Sequence, residues 1–221
     1  MKPEKTHIYF VPGLAANAHI FEFIKLPSSQ FELHFLEWII PTSKEETLEH
    51  YAARMSALVK HQNSILIGVS FGGVLVQEMK ALTNPKKIII ISSIKNKFEL
   101  PLGMRFIQKT KANKLVPYKL LSRFGKNEKY FFTSKLKKKI KLYNKYLSMR
   151  DELYLRWSMN TIINWERTDS DNDVIHIHGT DDFVFPAKNI KNYIKISNGT
   201  HVMILNKAKK ISELLIKILN D

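Results

Sequence analysis

The feature that most constrains this chain is the six-residue stretch Gly68-Val69-Ser70-Phe71-Gly72-Gly73. A short apolar run, Ile65-Leu66-Ile67, leads into it. A helix-like run from Val74 to Leu82 leads out and stops near Asn84-Pro85. The spacing predicts a strand, a tight turn with a serine at its apex, and a helix. Such a turn brings the residues two before and two after the serine close together, so a Cβ at Gly68 or Gly72 would crowd it. A lone G-x-S-x-G arises often by chance, and a buried turn serine is its plainer reading. The strand before and the helix after favour a presented hydroxyl, with the N–H groups of the helix start available to developing negative charge.

The rest of the chain repeats the strand and helix alternation. Strands are expected at Thr6–Val11, Phe31–Trp38, Ser64–Val69, Lys87–Ser92, Asp173–His178 and Tyr193–Ser197. The fourth, with four consecutive isoleucines, reads as a fully buried parallel strand. A short helix is expected over Ile20–Leu26. Ser43 and Glu46 match a capping box, which predicts Ser43 as the N-cap of a helix with Leu48, Tyr51, Ala52, Met55, Leu58 and Val59 on its apolar face. Asn206 is the expected cap of a final helix whose apolar face begins at Ala208 and Ile211. Six strands with intervening helices imply right-handed crossovers and a mostly parallel sheet with helices on both faces, an α/β class.

The alternation is interrupted once. Residues 97–168 contain no convincing strand, so the expected organisation is a core of residues 1–96 and 169–221 with a basic helical lid insertion, 97–168. Between Lys97 and Arg150 there are 16 Lys and Arg against two acids, whereas the rest of the chain is nearly balanced. Leu136, Ile140, Tyr143 and Leu147 make one apolar stripe; Lys137, Lys138, Lys139, Lys141 and Lys145 cover much of the opposite side. A second helix from about Asp151 carries Leu153, Leu155, Trp157, Ile162 and Trp165, and both tryptophans read as packing. The segment is too small and too basic for its own core, so it should fold back over Ser70. The plainer reading of its charge is a solvated helix face. The functional one is attraction to an anionic surface or substrate.

Two further stretches bear chemistry. His178-Gly179-Thr180-Asp181-Asp182-Phe183-Val184-Phe185-Pro186 follows one strand, and Asn198-Gly199-Thr200-His201 follows the last. Both fall after strand C-terminal ends, where open parallel sheets place their sites. With Gly-Val-Ser-Phe-Gly-Gly at 68–73 they resemble the α/β-hydrolase superfamily, in particular small bacterial serine hydrolases with a helical lid. The resemblance covers nearly the whole chain outside the lid. It implies an α/β-hydrolase fold in which Ser70 sits on a nucleophile elbow and acid and histidine follow in the order Ser70, Asp182, His201. It also implies an oxyanion hole of the backbone N–H groups of Leu14 and Phe71, although Pro12-Gly13 stands where many members have His-Gly. Asp181, or Asp173 under another loop register, is the alternative acid. His176, in a strand, and His178, in a turn, read as structural.

The expected activity is hydrolysis of a carboxylic ester or thioester through an acyl-enzyme, on a small-molecule acyl substrate. A lyase or acyltransferase on the same fold, or a non-catalytic ligand-binding member, are the alternatives, since a fold does not settle a reaction. No cofactor is expected, because G-x-G-x-x-G is absent. No metal is expected either: there are no cysteines and no H-E-x-x-H, and His7, His19, His34, His50 and His61 are scattered without a partner pattern. The basic insertion gives an anionic carrier or anionic membrane surface as the candidate partner. Nucleic acid is not expected, for want of a base-reading module. The N-terminus lacks a secretory h-region and no apolar run is long enough to span a bilayer, so a cytoplasmic location is expected.

Overall fold

A computed structural model describes residues 5–123 and 134–221. The strands are β1 (Thr6–Val11), β2 (Phe31–Phe35), β3 (Ile65–Val69), β4 (Lys87–Ile91), β5 (Val174–Gly179) and β6 (Ile194–Ile196). They form one sheet in the order β2-β1-β3-β4-β5-β6, and every pair is parallel. The α-helices among the described residues are α1 (Leu48–Ser56), α2 (Phe71–Glu78), α3 (Lys80–Thr83), α4 (Leu102–Thr110), α5 (Tyr118–Arg123), α6 (Ser134–Tyr146), α7 (Glu152–Ile163), α8 (Met203–Asn206) and α9 (Ala208–Asn220). None of these helices is long and apolar enough to cross a membrane.

Strand alternation divides the core into two layers. Ile88 and Ile90 of β4 join Tyr9, Val11 and Leu66 beneath α1, α2 and α7. Ile89 and Ile91 join Ile8, Phe10 and Ile67 on the other side, beneath α8 and α9. The isoleucine run is therefore shared between both faces, which is why it has no polar alternation. α9 turns Ala208, Ile211, Leu215 and Ile218 inward, with Leu214 and Leu219 half-buried at the edge of that stripe.

Several local expectations are corrected. Helix α1 starts at Leu48 with Thr47 as N-cap, its hydroxyl accepting from the His50 amide at 3.2 Å. Ser43 is not the cap, because Glu46 is taken elsewhere. Its carboxylate accepts from the Thr42 amide at 2.6 Å and from Arg54 at 2.9 and 3.0 Å. Asn206 closes α8 rather than capping α9, whose N-cap position is Lys207. Residues Ala18–Phe21 form a 3₁₀ turn in place of the expected helix over Ile20–Leu26. β2 ends at Phe35, not Trp38, since the Trp38 indole leaves the sheet line to donate to the Gly13 carbonyl at 2.9 Å.

Among the described residues of 97–168 the regular elements are helices joined by short irregular stretches, and no strand occurs. Helix α7 packs on the core: Trp157 is buried against Tyr51, with ring centroids 4.1 Å apart, and its Nε1 donates to the Glu46 carbonyl at 2.7 Å. Trp165 lies beyond α7 rather than on it, and its Nε1 donates to Glu78 at 3.1 Å. Ile140 is buried, Tyr143 and Leu147 are half-buried, and Lys141 and Lys145 are exposed. The side chains of Leu136, Lys137, Lys138 and Lys139 lie outside the described residues.

Candidate active site

The elbow forms as its glycines require. Ser70 holds φ 53° and ψ −120°, a conformation that costs a residue with a Cβ and recurs where a side chain must be presented. Val69 and Phe71 on either side are buried, the Ser70 amide donates to the Ile91 carbonyl at 2.9 Å, and the Ser93 hydroxyl donates to the Ser70 carbonyl at 2.7 Å. A Cβ at Gly68 would stand 2.3 Å from the Gly72 carbonyl oxygen. Gly68→Ala is therefore expected to destabilise the chain by more than the 1–3 kcal/mol of ordinary overpacking, because backbone rather than a side chain must move. A denaturant midpoint within error of the parent would contradict this.

The three loops after β3, β5 and β6 converge on one point. Gly179 and Gly199 touch so closely that a Cβ on Gly179 would lie 2.1 Å from the Gly199 oxygen, which draws the two later loops together. His201 Nε2 lies 3.0 Å from Ser70 Oγ, and His201 Nδ1 lies 2.9 and 3.1 Å from the two carboxylate oxygens of Asp182. The Asp182 side chain is fully buried. Its Oδ1 also accepts from the Val184 and Phe185 amides, both at 2.9 Å. A carboxylate only accepts, so Nδ1 carries the proton and Nε2 offers its lone pair to the Ser70 hydroxyl. The alternative acids are elsewhere: Asp181 is exposed and accepts from Thr180 Oγ1, and Asp173 accepts from Lys80. The amide of Phe71 is the first of α2, where an N–H has no acceptor inside the helix. The loop carrying Leu14 adjoins the serine, since a Cβ on Gly13 would lie 3.5 Å from Ser70 Cβ.

Above Ser70 and His201 is a cavity of about 440 Å³, within the range of small-molecule sites. Its walls are apolar and come from both parts of the chain: Leu14, Val69 and Val184 from the core, Met104 of α4, Leu147, and Met159 of α7.

Some supporting residues carry no sequence signal. Trp38 fixes the Gly13 carbonyl, and the segment after α6 clips the same loop: the Asn17 amide donates to the Tyr146 carbonyl at 3.0 Å and the Met149 amide to the Ala15 carbonyl at 3.1 Å. Lys145 and the Tyr146 hydroxyl both reach Glu22 at 2.6 Å and hold its carboxyl below the usual range. Trp38 and Gly13 are 25 residues apart and the other pairs more than 120, so no local pattern reveals them.

His178 lies within β5, not in a turn. Its Nε2 donates to the Phe185 carbonyl at 2.9 Å, and its Nδ1 accepts from His176 Nε2 at 3.2 Å. Both rings are buried, and burial lowers both pKa values, that of His176 furthest. The His178 ring holds the carbonyl of Phe185, the residue whose amide donates to Asp182. Because the unfolded chain begins to protonate these rings near pH 6.5 and the folded chain only at lower pH, stability falls as pH drops through that value. In His176→Gln, the decline of the melting temperature between pH 7 and 5 should be shallower than in the parent. An identical slope would contradict the linkage.

One group departs from the sequence reading. His7, His34 and His61 are not scattered but adjacent: His7 Nδ1 is 2.9 Å from His34 Nε2, and the His7 and His61 rings stack with centroids 3.5 Å apart. Burial, followed by the neighbouring His61 and His7, lowers the pKa of His34, while Glu32 acts in the opposite sense.

No family model and no curated protein matches this sequence. Solved structures do match in shape. A bromoperoxidase from Bacillus anthracis superposes with a TM-score of 0.66 at 17% identity, over 99% of this chain and 93% of its own. A Bacillus megaterium epoxide hydrolase gives 0.67 at 13%, over 100% and 95%. A thermophilic esterase from Thermogutta terrifontis gives 0.64 at 12%, over 97% and 89%. At such identities what is shared is the fold, across essentially the whole chain.

Proposed function

Since the chain has the α/β-hydrolase fold, we propose that it is a serine hydrolase, with Ser70 as nucleophile, His201 as base and Asp182 as the group that orients and stabilises the imidazole. The observation that carries this is the continuous hydrogen-bonded line from Ser70 Oγ through His201 to buried Asp182, at the floor of an apolar cavity. A serine hydroxyl is a weak nucleophile at neutral pH, and a histidine lone pair 3.0 Å away can take its proton as it attacks. The carbonyl oxygen of the tetrahedral intermediate then needs donors, a role for the Phe71 and Leu14 amides. The protonated His201 returns its proton to the leaving oxygen or sulfur. An acyl group remains on Ser70, and water activated by the same imidazole releases the acid.

The walls favour a substrate whose acyl part is apolar, as an ester or thioester. A panel of such compounds with graded acyl length should show kcat/KM rising with length until the cavity is filled. Met159→Trp, which occupies part of it, should lower kcat/KM for the longest esters about tenfold or more and leave acetyl esters little changed. A flat length profile in the parent would remove the acyl cavity from the account. Product formation only with an added acceptor would replace hydrolysis by transfer.

The basic insertion supports an anionic carrier of the acyl group, or an anionic membrane surface, as partner. Helix α4 exposes Leu102 and Phe106 near exposed Lys109 and Lys111. Attraction of this kind is screened by salt, so association with vesicles containing anionic lipid, or turnover of a phosphate-bearing thioester, should weaken between about 0.05 and 0.5 M NaCl. Salt-independent association would exclude it.

A further inference from the structure

We propose that His7, His34 and His61 form a binding site for one divalent transition-metal ion, of which zinc is the best fit, at the opposite end of the sheet from Ser70. Their ring nitrogens lie within 4.8 Å of one another, and all three rings are half-buried. The site is assembled by the sheet. Parallel pairing sets Tyr9 of β1 opposite His34 of β2, and His7 opposite Glu32. His7 and Tyr9 point to one face by the two-residue period of the strand, as do Glu32 and His34. His61 arrives from the loop before β3, four residues ahead of Ile65. Ser70 follows the far end of that same strand, so the length of β3 separates the two sites.

The chemistry of the donors fits an ion of this class. Neutral imidazole is the preferred ligand of zinc, copper and nickel, and three imidazoles with one oxygen donor make a common four-coordinate set. Bonds of about 2.0–2.1 Å in a tetrahedron put ligand nitrogens about 3.3 Å apart. His7 Nδ1 and His34 Nε2 now face each other at 2.9 Å, a gap suited to a shared proton, and a small parting of the rings admits an ion in its place. His61 must tip out of its stack on His7 to complete the set, and its position on a loop allows that. The carboxylate of Glu32, 4.0 Å from His7 Nδ1 and 3.8 Å from His34 Nε2, supplies charge neutralisation and is placed to be the oxygen donor. Tyr9 braces the loop from beneath. Its hydroxyl accepts from the Lys60 amide at 3.0 Å and lies 2.6 Å from His61 Nδ1, a partner for the ring nitrogen that does not bind the ion. An ion bound in this way would tie edge strand β2 and the α1–β3 loop to β1.

The test uses untagged full-length protein, stripped with chelator and titrated with Zn²⁺ alone. One Zn²⁺ per chain, with a melting temperature that rises with free Zn²⁺, is the expected result. His34→Gln and His61→Gln should each weaken binding at least about tenfold, the cost of a lost contact in a metal site. Binding should persist in His201→Gln and His50→Gln, which remove imidazoles elsewhere. Circular dichroism of each variant separates loss of the site from loss of the fold, and Glu32→Gln provides a second, surface-exposed variant that should weaken binding without unfolding. Absence of saturable one-to-one binding, or equal binding by His34→Gln and His61→Gln, would overturn the proposal. So would loss of binding in His201→Gln with the His34 and His61 variants unaffected. None of these outcomes bears on the hydrolase reading.

Discussion

Ser70→Ala is expected to lower turnover of the best ester substrate by about 10⁶-fold, equivalent to about 8 kcal/mol of transition-state stabilisation. The size follows from the site's construction. The hydroxyl at 3.0 Å from His201 Nε2 is the atom that would bond to the carbonyl, and nothing beside it can replace that bond. The amides of Phe71 and Leu14 and the apolar walls remain, so a small rate above the water reaction should survive. The substitution leaves the elbow's hydrogen bonds in place, since the Ser70 amide and carbonyl, not its hydroxyl, hold the turn to Ile91 and Ser93. The variant should therefore keep its melting temperature and still bind substrate. A fluorophosphonate should label the parent once per chain and the variant not at all. Retention of esterase activity by Ser70→Ala would end the serine mechanism.

Asp182→Asn is expected to cost about 10⁴ in kcat with little change in KM, for a reason of proton placement. Oδ1 of Asp182 accepts two amide N–H groups, so in the variant the amide oxygen must stay there and the NH₂ must face His201 Nδ1. The donor then forces Nδ1 to accept and moves the ring proton to Nε2. That nitrogen can no longer take a proton from Ser70, although every heavy atom can keep its position. Labelling by a fluorophosphonate should slow in parallel with kcat. If the variant labelled and turned over at the parent's rate, Asp182 would be a packing residue.

Much of this arrangement is legible because it is local. The glycines around Ser70, the apolar strand before it and the helix after it lie within about twenty residues. The motif order then brings Asp182 and His201 to the same sheet edge. The local expectations that fail do so through tertiary competition. Glu46 closes an apparent capping box that starts at Ser43, yet Arg54 and the Thr42 amide claim its carboxylate, and the helix is capped by Thr47 instead. Trp38 belongs by pattern to a strand, yet its indole is drawn to Gly13. Gly179 belongs by pattern to the turn after His178, yet it ends β5, and the His178 ring donates to the Phe185 carbonyl in the loop bearing Asp182.

The sequence by itself determined the period and order of the elements, because hydrophobic alternation and glycine placement act over a few residues. That was enough for six strands in a mostly parallel sheet, the serine turn, and the loops bearing Asp182 and His201. Only the tertiary structure decided which distant groups meet. The sheet register alone sets His34 beside His7, and the packing of α4, α6 and α7 alone puts Met104 and Met159 in the cavity with Ser70 and clips residues 146–149 to the loop at Ala15 and Asn17. Contacts across 27 to more than 120 residues depend on how whole elements pack, and no local pattern carries that information.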